Sequence, residues 1–156
     1  MRASAHPNAL RVQAVLGPSF TVVEFDESTH TAQEAADAIG CQLAQIAKSI
    51  LFRSASGRPV LVIASGTNRV DEKKVRALLG EKIERASPDF VKETTGFEVG
   101  GVPPLGPASP CVVFLDEDLR NYPTLWAAGG TPNAVFEIGF QKLTEMSGAT
   151  VADVKR

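Results

Sequence analysis

The chain has 156 residues, enough for one domain spanning 1–156, and a chain of that size buries roughly two thirds of its unfolded surface without a metal or disulfide staple. Hydrophobic residues make up 44% and charged residues 22%, a globular profile rather than a disordered or membrane-spanning one. The formal net charge of −2 argues against a protein that coats nucleic acid by counterion release, but leaves room for one that grips only a nucleic-acid end through a small basic patch.

Cys41 and Cys111 stand far apart with no C-x-x-C spacing, so they read as two buried or half-buried thiols in a reducing cytoplasm. The N-terminal residues lack the apolar core of a signal peptide, and no apolar run approaches the ~20 residues of a membrane span. A cytoplasmic protein with no membrane partner is expected.

Residues 8–16 place Ala9, Val12 and Leu16 at helical spacing after Pro7 and before Gly17, which predicts a first helix. Residues 20–25, rich in Val and Phe, predict a strand. Thr31 and Glu34 have the spacing of a capping box, in which the threonine hydroxyl takes the N3 amide and the glutamate reaches back. The helix they open turns Ala35, Ala36 and Ile39 to one face and stops at Gly40. A second short helix is expected at 43–47. Residues 49–53 alternate, with Ile50 and Phe52 on one face, and 54–59 is turn chemistry. The unbroken apolar run 60–64 predicts a strand covered on both faces. Residues 71–79 predict a helix with Val75, Leu78 and Leu79 inward and Gly80 at its end. Ser87 and Pro88 open another as N-cap and first residue, and it stops near Gly96. Strands are expected at 112–115 and 134–138, and an amphipathic helix at 140–146. Six or seven strands among about five helices indicate a mixed α/β domain, and the pattern leaves open sheet and barrel equally available.

Three segments can carry chemistry. Residues 97–110 hold three glycines and four prolines. Glycine lets amides approach a ligand and proline stiffens the loop, so a preorganised site and a structural crossover fit equally well. Lys48 lies among apolar neighbours at a strand entrance, where it can offer a point charge to a phosphate or an oxyanion. On local sequence a snorkelling surface lysine is the plainer reading. Residues 127–133 combine Gly129 and Gly130 with Asn133, which suits either a ligand contact or a hairpin turn. His6 and His30 have no i,i+4 partner and read as exposed loop histidines, although His30 precedes the Thr31 cap and can line a cleft. Asp116, Glu117 and Asp118 read as a solvated turn. No nucleophile elbow, zinc motif or phosphate-binding P-loop is present.

Taken together, T-A-x-E-A-A-x-x-I-G from Thr31, A-K-S-I-L-F around Lys48, A-S-G-T-N-R-V-D-E-K-K-V from Ala64 and G-G-V-P-P-L-G from Gly100 resemble the YbaK / prolyl-tRNA synthetase-associated editing domain family. The resemblance runs from about Thr21 to Ile138. It implies an α/β fold with a mixed, partly closed, barrel-like sheet flanked by helices. It implies hydrolysis of mischarged aminoacyl-tRNA, chiefly tRNA for proline carrying a small non-cognate amino acid, in trans and without a metal or other cofactor. Lys48 then holds the phosphate of the terminal adenosine. Gly100, Gly101, Val102, Pro103 and Pro104 place backbone amides around the ester carbonyl, and a ribose hydroxyl of the substrate helps to activate water. His30, Thr31, Ser49, Ile50, Gly129, Gly130 and Asn133 are the expected substrate-binding residues. Some relatives carry a histidine after the late glycine turn, where this chain has Asn133, so the amino acid removed stays open. The partner is the acceptor end of an aminoacyl-tRNA, delivered alone, by prolyl-tRNA synthetase or by an elongation factor. A non-catalytic aminoacyl-tRNA or nucleotide-binding module of the same fold, or a small-molecule esterase, are the alternatives.

Overall fold

A computed structural model describes residues 2–26, 31–105 and 111–156. Their elements, in order, are β1 (Arg2–Ala3), α1 (Pro7–Leu16), β2 (Val23–Glu24), α2 (Ala32–Ile39), β3 (Ile46–Ser54), β4 (Pro59–Ser65), α3 (Glu72–Leu79), β5 (Ile83–Arg85), α4 (Pro88–Thr95), β6 (Val112–Asp116), β7 (Leu125–Ala128), β8 (Ala134–Ile138), α5 (Phe140–Ser147) and β9 (Thr150–Ala152). Short 3-10 turns occupy Leu43–Gln45 and Glu117–Asn121. The strands form one mixed sheet in the order β1-β2-β8-β7-β3-β4-β6-β9, with β5 attached to β3 off that path. The mixed α/β expectation is borne out.

Local chemistry explains the helices. The Thr31 hydroxyl accepts from the Glu34 amide at 3.1 Å and donates to the Glu34 carboxylate, so that helix is capped as predicted. Asp71 and Ser87 cap α3 and α4 in the same way. Gly40, Gly80 and Gly96 end their helices in the left-handed conformation. His6 is a cap as well, its Nδ1 accepting from the Asn8 amide at 3.1 Å.

Strand alternation builds two cores. Ala47, Leu51, Leu61, Ile63 and Leu115 turn to one face and pack with α1, Phe97, Phe136 and Leu143. Phe52, Val60, Val62 and Phe114 turn to the other and pack with Val75 and Val154. The run 60–64 is buried throughout, as a strand covered on both faces requires.

Four expectations are corrected. Leu78 is 46% exposed, because an eight-residue helix that buries only Val75 presents a narrow apolar stripe. The second short helix is a 3-10 turn ending at Gln45, and β3 begins at Ile46, where pairing with β7 extends the backbone. The strand expected at 20–25 shrinks to Val23–Glu24, the only residues paired with β1 and β8. Asp116 is not a solvated turn residue. It is fully buried and accepts from the Ser65 amide, Asn68 Nδ2 and the Asp118 amide at 2.8–3.1 Å.

Candidate functional site

The site begins as a break in the sheet. β3 pairs with β4 from Ala47 to Arg53. On its other edge β7 covers only Ile46 and Ala47, and β5 covers only Phe52, Arg53 and Ser54. β7 stops at Ala128 because the chain turns through Gly129 and Gly130. β5 stops at Arg85 because Ser87 and Pro88 start α4. Between them Lys48, Ser49 and Ile50 face a gap.

A pocket of about 350 Å³ fills that gap. Thr31, Ala32 and Ala35 of α2 form one side, Ile46 to Ser49 of β3 the floor, and Val99, Gly100 and Val102 the facing loop. Trp126, Ala127, Ala128, Pro132, Ala134 and Val135 close the far side. Thus five residues expected from sequence (Thr31, Lys48, Ser49, Gly100 and Val102) come together here. Lys48 lies within the strand rather than at its entrance. Trp126 was not anticipated; its one sequence signal is that the chain has no other tryptophan.

The rest of the predicted set lies around the pocket rather than on its wall. The Gly101 amide is committed to the Glu98 carbonyl at 3.0 Å, closing a turn that holds Gly100 at φ +89°. A Cβ on Gly101 would lie 2.9 Å from both the Gly130 carbonyl oxygen and the Thr131 Cα. One on Gly130 would lie 2.6 Å from the Asn8 carbonyl oxygen. These glycines therefore let two backbone segments touch. Pro103 and Pro104 are buried behind the loop, which Val102 and Leu105 anchor in the larger core. Gly129 donates to the Ala134 carbonyl at 2.7 Å, inside the β7–β8 hairpin. Asn133 ties that hairpin together: its Oδ1 accepts from the Thr131 hydroxyl at 3.0 Å and its Nδ2 donates to the Phe25 carbonyl. His30 lies outside the described residues. Among the described residues, neither the Gly100 nor the Val102 amide has a hydrogen-bond acceptor.

Ile50 looks into a second depression of about 270 Å³, on the far side of Lys48. Arg69, Arg85 and Arg156 surround it, with Glu72 the one acidic side chain lining it among the described residues. None of these arginines forms an ion pair among the described residues. Lys48 belongs to both cavities, and its Nζ donates to the Gly66 carbonyl at 3.5 Å. Burial, then the charges of Arg85 and Arg69, hold its ammonium below the ordinary lysine range, against the opposing pull of Asp116. An apolar pocket thus meets a cationic one at a single lysine, an arrangement that suits an anionic group linked to a small, largely apolar one.

Comparison with known proteins places this geometry in a family. A sequence model of the Aminoacyl-tRNA editing domain matches residues 26–146, and the chain belongs to that family. It is 40% identical over 126 residues to the protein YwhH of Bacillus subtilis, covering 81% of this chain and 80% of that one. It is 40% identical over 90 residues to the proline–tRNA ligase of Bacillus licheniformis, a match that spans 57% of this chain and only 16% of the ligase. A crystal structure described as "a putative trans-editing enzyme for prolyl tRNA synthetase" superposes with a TM-score of 0.93 at 46% identity, covering 98% of this chain and 99% of that one. Among the described residues no helix is long and apolar enough to cross a membrane, and no group of three or more His, Cys, Asp or Glu could hold a metal ion.

Proposed function

We propose that this protein hydrolyses mischarged aminoacyl-tRNA in trans, acting on tRNA for proline that carries a small non-cognate amino acid. The observation that carries the reading is the position of Lys48 between the apolar pocket and the arginine-lined depression. The terminal adenosine phosphate sits against Lys48, and the preceding phosphates meet Arg69, Arg85 and Arg156. The aminoacyl group then enters the apolar pocket. The family match and the similarity to a prolyl-tRNA synthetase trans-editing structure support the substrate class.

An aminoacyl ester is already activated, so positioning and oxyanion stabilisation are the main demands on the protein. The Gly100 and Val102 amides are the donors that await the ester oxygen; the Gly101 amide is spent on Glu98. Water adds to the carbonyl carbon, the bond to the ribose oxygen breaks, that oxygen takes one of the water's protons, and the other passes to solvent. The free amino acid leaves as a carboxylate, and the neighbouring ribose hydroxyl orients the water.

The test is a deacylation screen across tRNAs mischarged with alanine, serine, threonine, cysteine and 2-aminobutyrate. At least one mischarged tRNA for proline is expected to lose its amino acid, and Lys48→Ala to lower kcat/KM by about 10²-fold, because the ester loses its alignment with the loop. A screen that leaves every ester intact sinks the reading. Binding without turnover would identify a non-catalytic module of the same fold.

A further inference from the structure

Ser49 is the residue whose polar groups the fold leaves without an explanation. Its Oγ is buried and has no hydrogen-bond partner among the described residues. Among the described residues no strand pairs with its backbone on one side either. The Ile46 carbonyl accepts from the Gly66 amide on the β4 side, and the Leu51 carbonyl accepts from the Ala86 amide on the opposite edge. Alternation along a strand therefore points the Ser49 N–H and C=O, like those of Ala47 and Leu51, away from β4. Ala47 is paired with β7 and the Leu51 carbonyl with Ala86, whereas Ser49 falls in the gap. One residue thus offers the pocket a donor, an acceptor and a hydroxyl.

Resting on the deacylase reading, we propose that the aminoacyl group of the substrate docks on this edge as a one-residue strand, with Ser49 holding its α-ammonium. An amino-acid ester has a carbonyl and an amine in the spacing of one residue, so it can exchange two bonds with one residue of an open strand edge. Its carbonyl accepts from the Ser49 N–H in the ground state, and the Gly100 and Val102 amides take up the oxyanion that forms when water adds. Its ammonium donates to the Ser49 carbonyl and to Oγ, which turns about χ1 without breaking a hydrogen bond because it makes none. Among the described residues no carboxylate lines the pocket, and these oxygens are acceptors of the kind a buried ammonium needs. Editing would then require a free α-amino group, and N-blocked or amine-free esters would be refused whatever their side chain.

The experiment uses two non-hydrolysable probes, 3′-(alanylamino)-3′-deoxyadenosine 5′-phosphate and its 3′-propionylamino counterpart, which lacks only the α-amino group. Trp126, the chain's one tryptophan and a wall of the pocket, reports binding by its fluorescence. The alanyl probe is expected to bind at least tenfold more tightly. Ser49→Ala should shrink that ratio several-fold and Ser49→Thr should preserve it. Ser49→Ala removes no existing side-chain hydrogen bond, and an unchanged melting temperature confirms an intact fold. Equal affinities for the two probes, no binding of either, or a ratio unmoved by Ser49→Ala would each overturn the proposal. The deacylation screen is scored separately: amine-selective binding with no turnover of any tRNA would reject the deacylase reading and keep the amine site.

Discussion

Burial and two neighbouring guanidinium groups make it easier for Lys48 to lose its proton. A lysine with a lowered pKa sheds its charge, as pH rises, sooner than a surface lysine does. KM for the tRNA substrate should therefore climb on the alkaline side below the usual lysine range. Arg85→Gln removes the larger of the two like-charge effects, so the position of that limb should move to higher pH even as binding weakens overall. A pH profile of KM for both proteins checks this, and an unmoved limb would assign the titration elsewhere. The lysine itself was visible in the sequence. Its two cavities were not, because Arg69, Arg85 and Arg156 come from three separate parts of the chain.

The loop that carries Gly100–Val102 and the β7–β8 hairpin form one packed unit. Contact between them depends on Gly101, where an added methyl would meet the Gly130 carbonyl and the Thr131 backbone at 2.9 Å. These are backbone atoms, which cannot swing aside, so Gly101→Ala should destabilise the protein by about 1–3 kcal/mol. It should also lower activity by displacing Gly100 and Val102. Urea denaturation read beside deacylation measures both; wild-type stability in this variant would disprove the contact. Helices were legible because their caps are local: Thr31, Asp71 and Ser87 each bond an amide two or three residues away. β1, β5, β7 and β9 were not anticipated. Each is two to four residues long, and a strand that short is defined by its partner. Residues 127–133 fitted a hairpin turn or a ligand contact, and the structure puts a hairpin there with Pro132 on the pocket wall.

Across the whole molecule, Asp116 ties the end of β4 to the turn that carries Arg69. Asn68 bonds both Asp116 and Asp118, and Lys155 reaches Asp118 at 2.6 Å. The Arg156 amide donates to the Arg69 carbonyl at 3.0 Å, which brings the last residue to the basic depression. Asp116→Ala would orphan the buried Ser65 amide and take from Asn68 Nδ2 one of its two carboxylate acceptors, at a cost of about 1–3 kcal/mol. It should weaken tRNA binding too, though Asp116 touches neither the pocket nor the depression. Chemical denaturation and a tRNA titration test the two effects; a variant as stable as the wild type would show that the tie carries little.

The sequence by itself determined the fold class, the capped helices, the buried run of β4 and the family, because caps, periodicity and motif spacing are recorded within short stretches of chain. It also singled out Thr31, Lys48, Ser49, Gly100 and Val102 as candidates. Only the tertiary structure decided that these five line one pocket, that Gly101 and Gly130 serve close backbone contacts with the β7–β8 hairpin and with α1, and that Trp126 closes the pocket. It alone exposed the gap at Ser49. That gap exists because β7 and β5 each stop short of the middle of β3. A missing neighbour is a property of three strands at once, which no window along one strand contains.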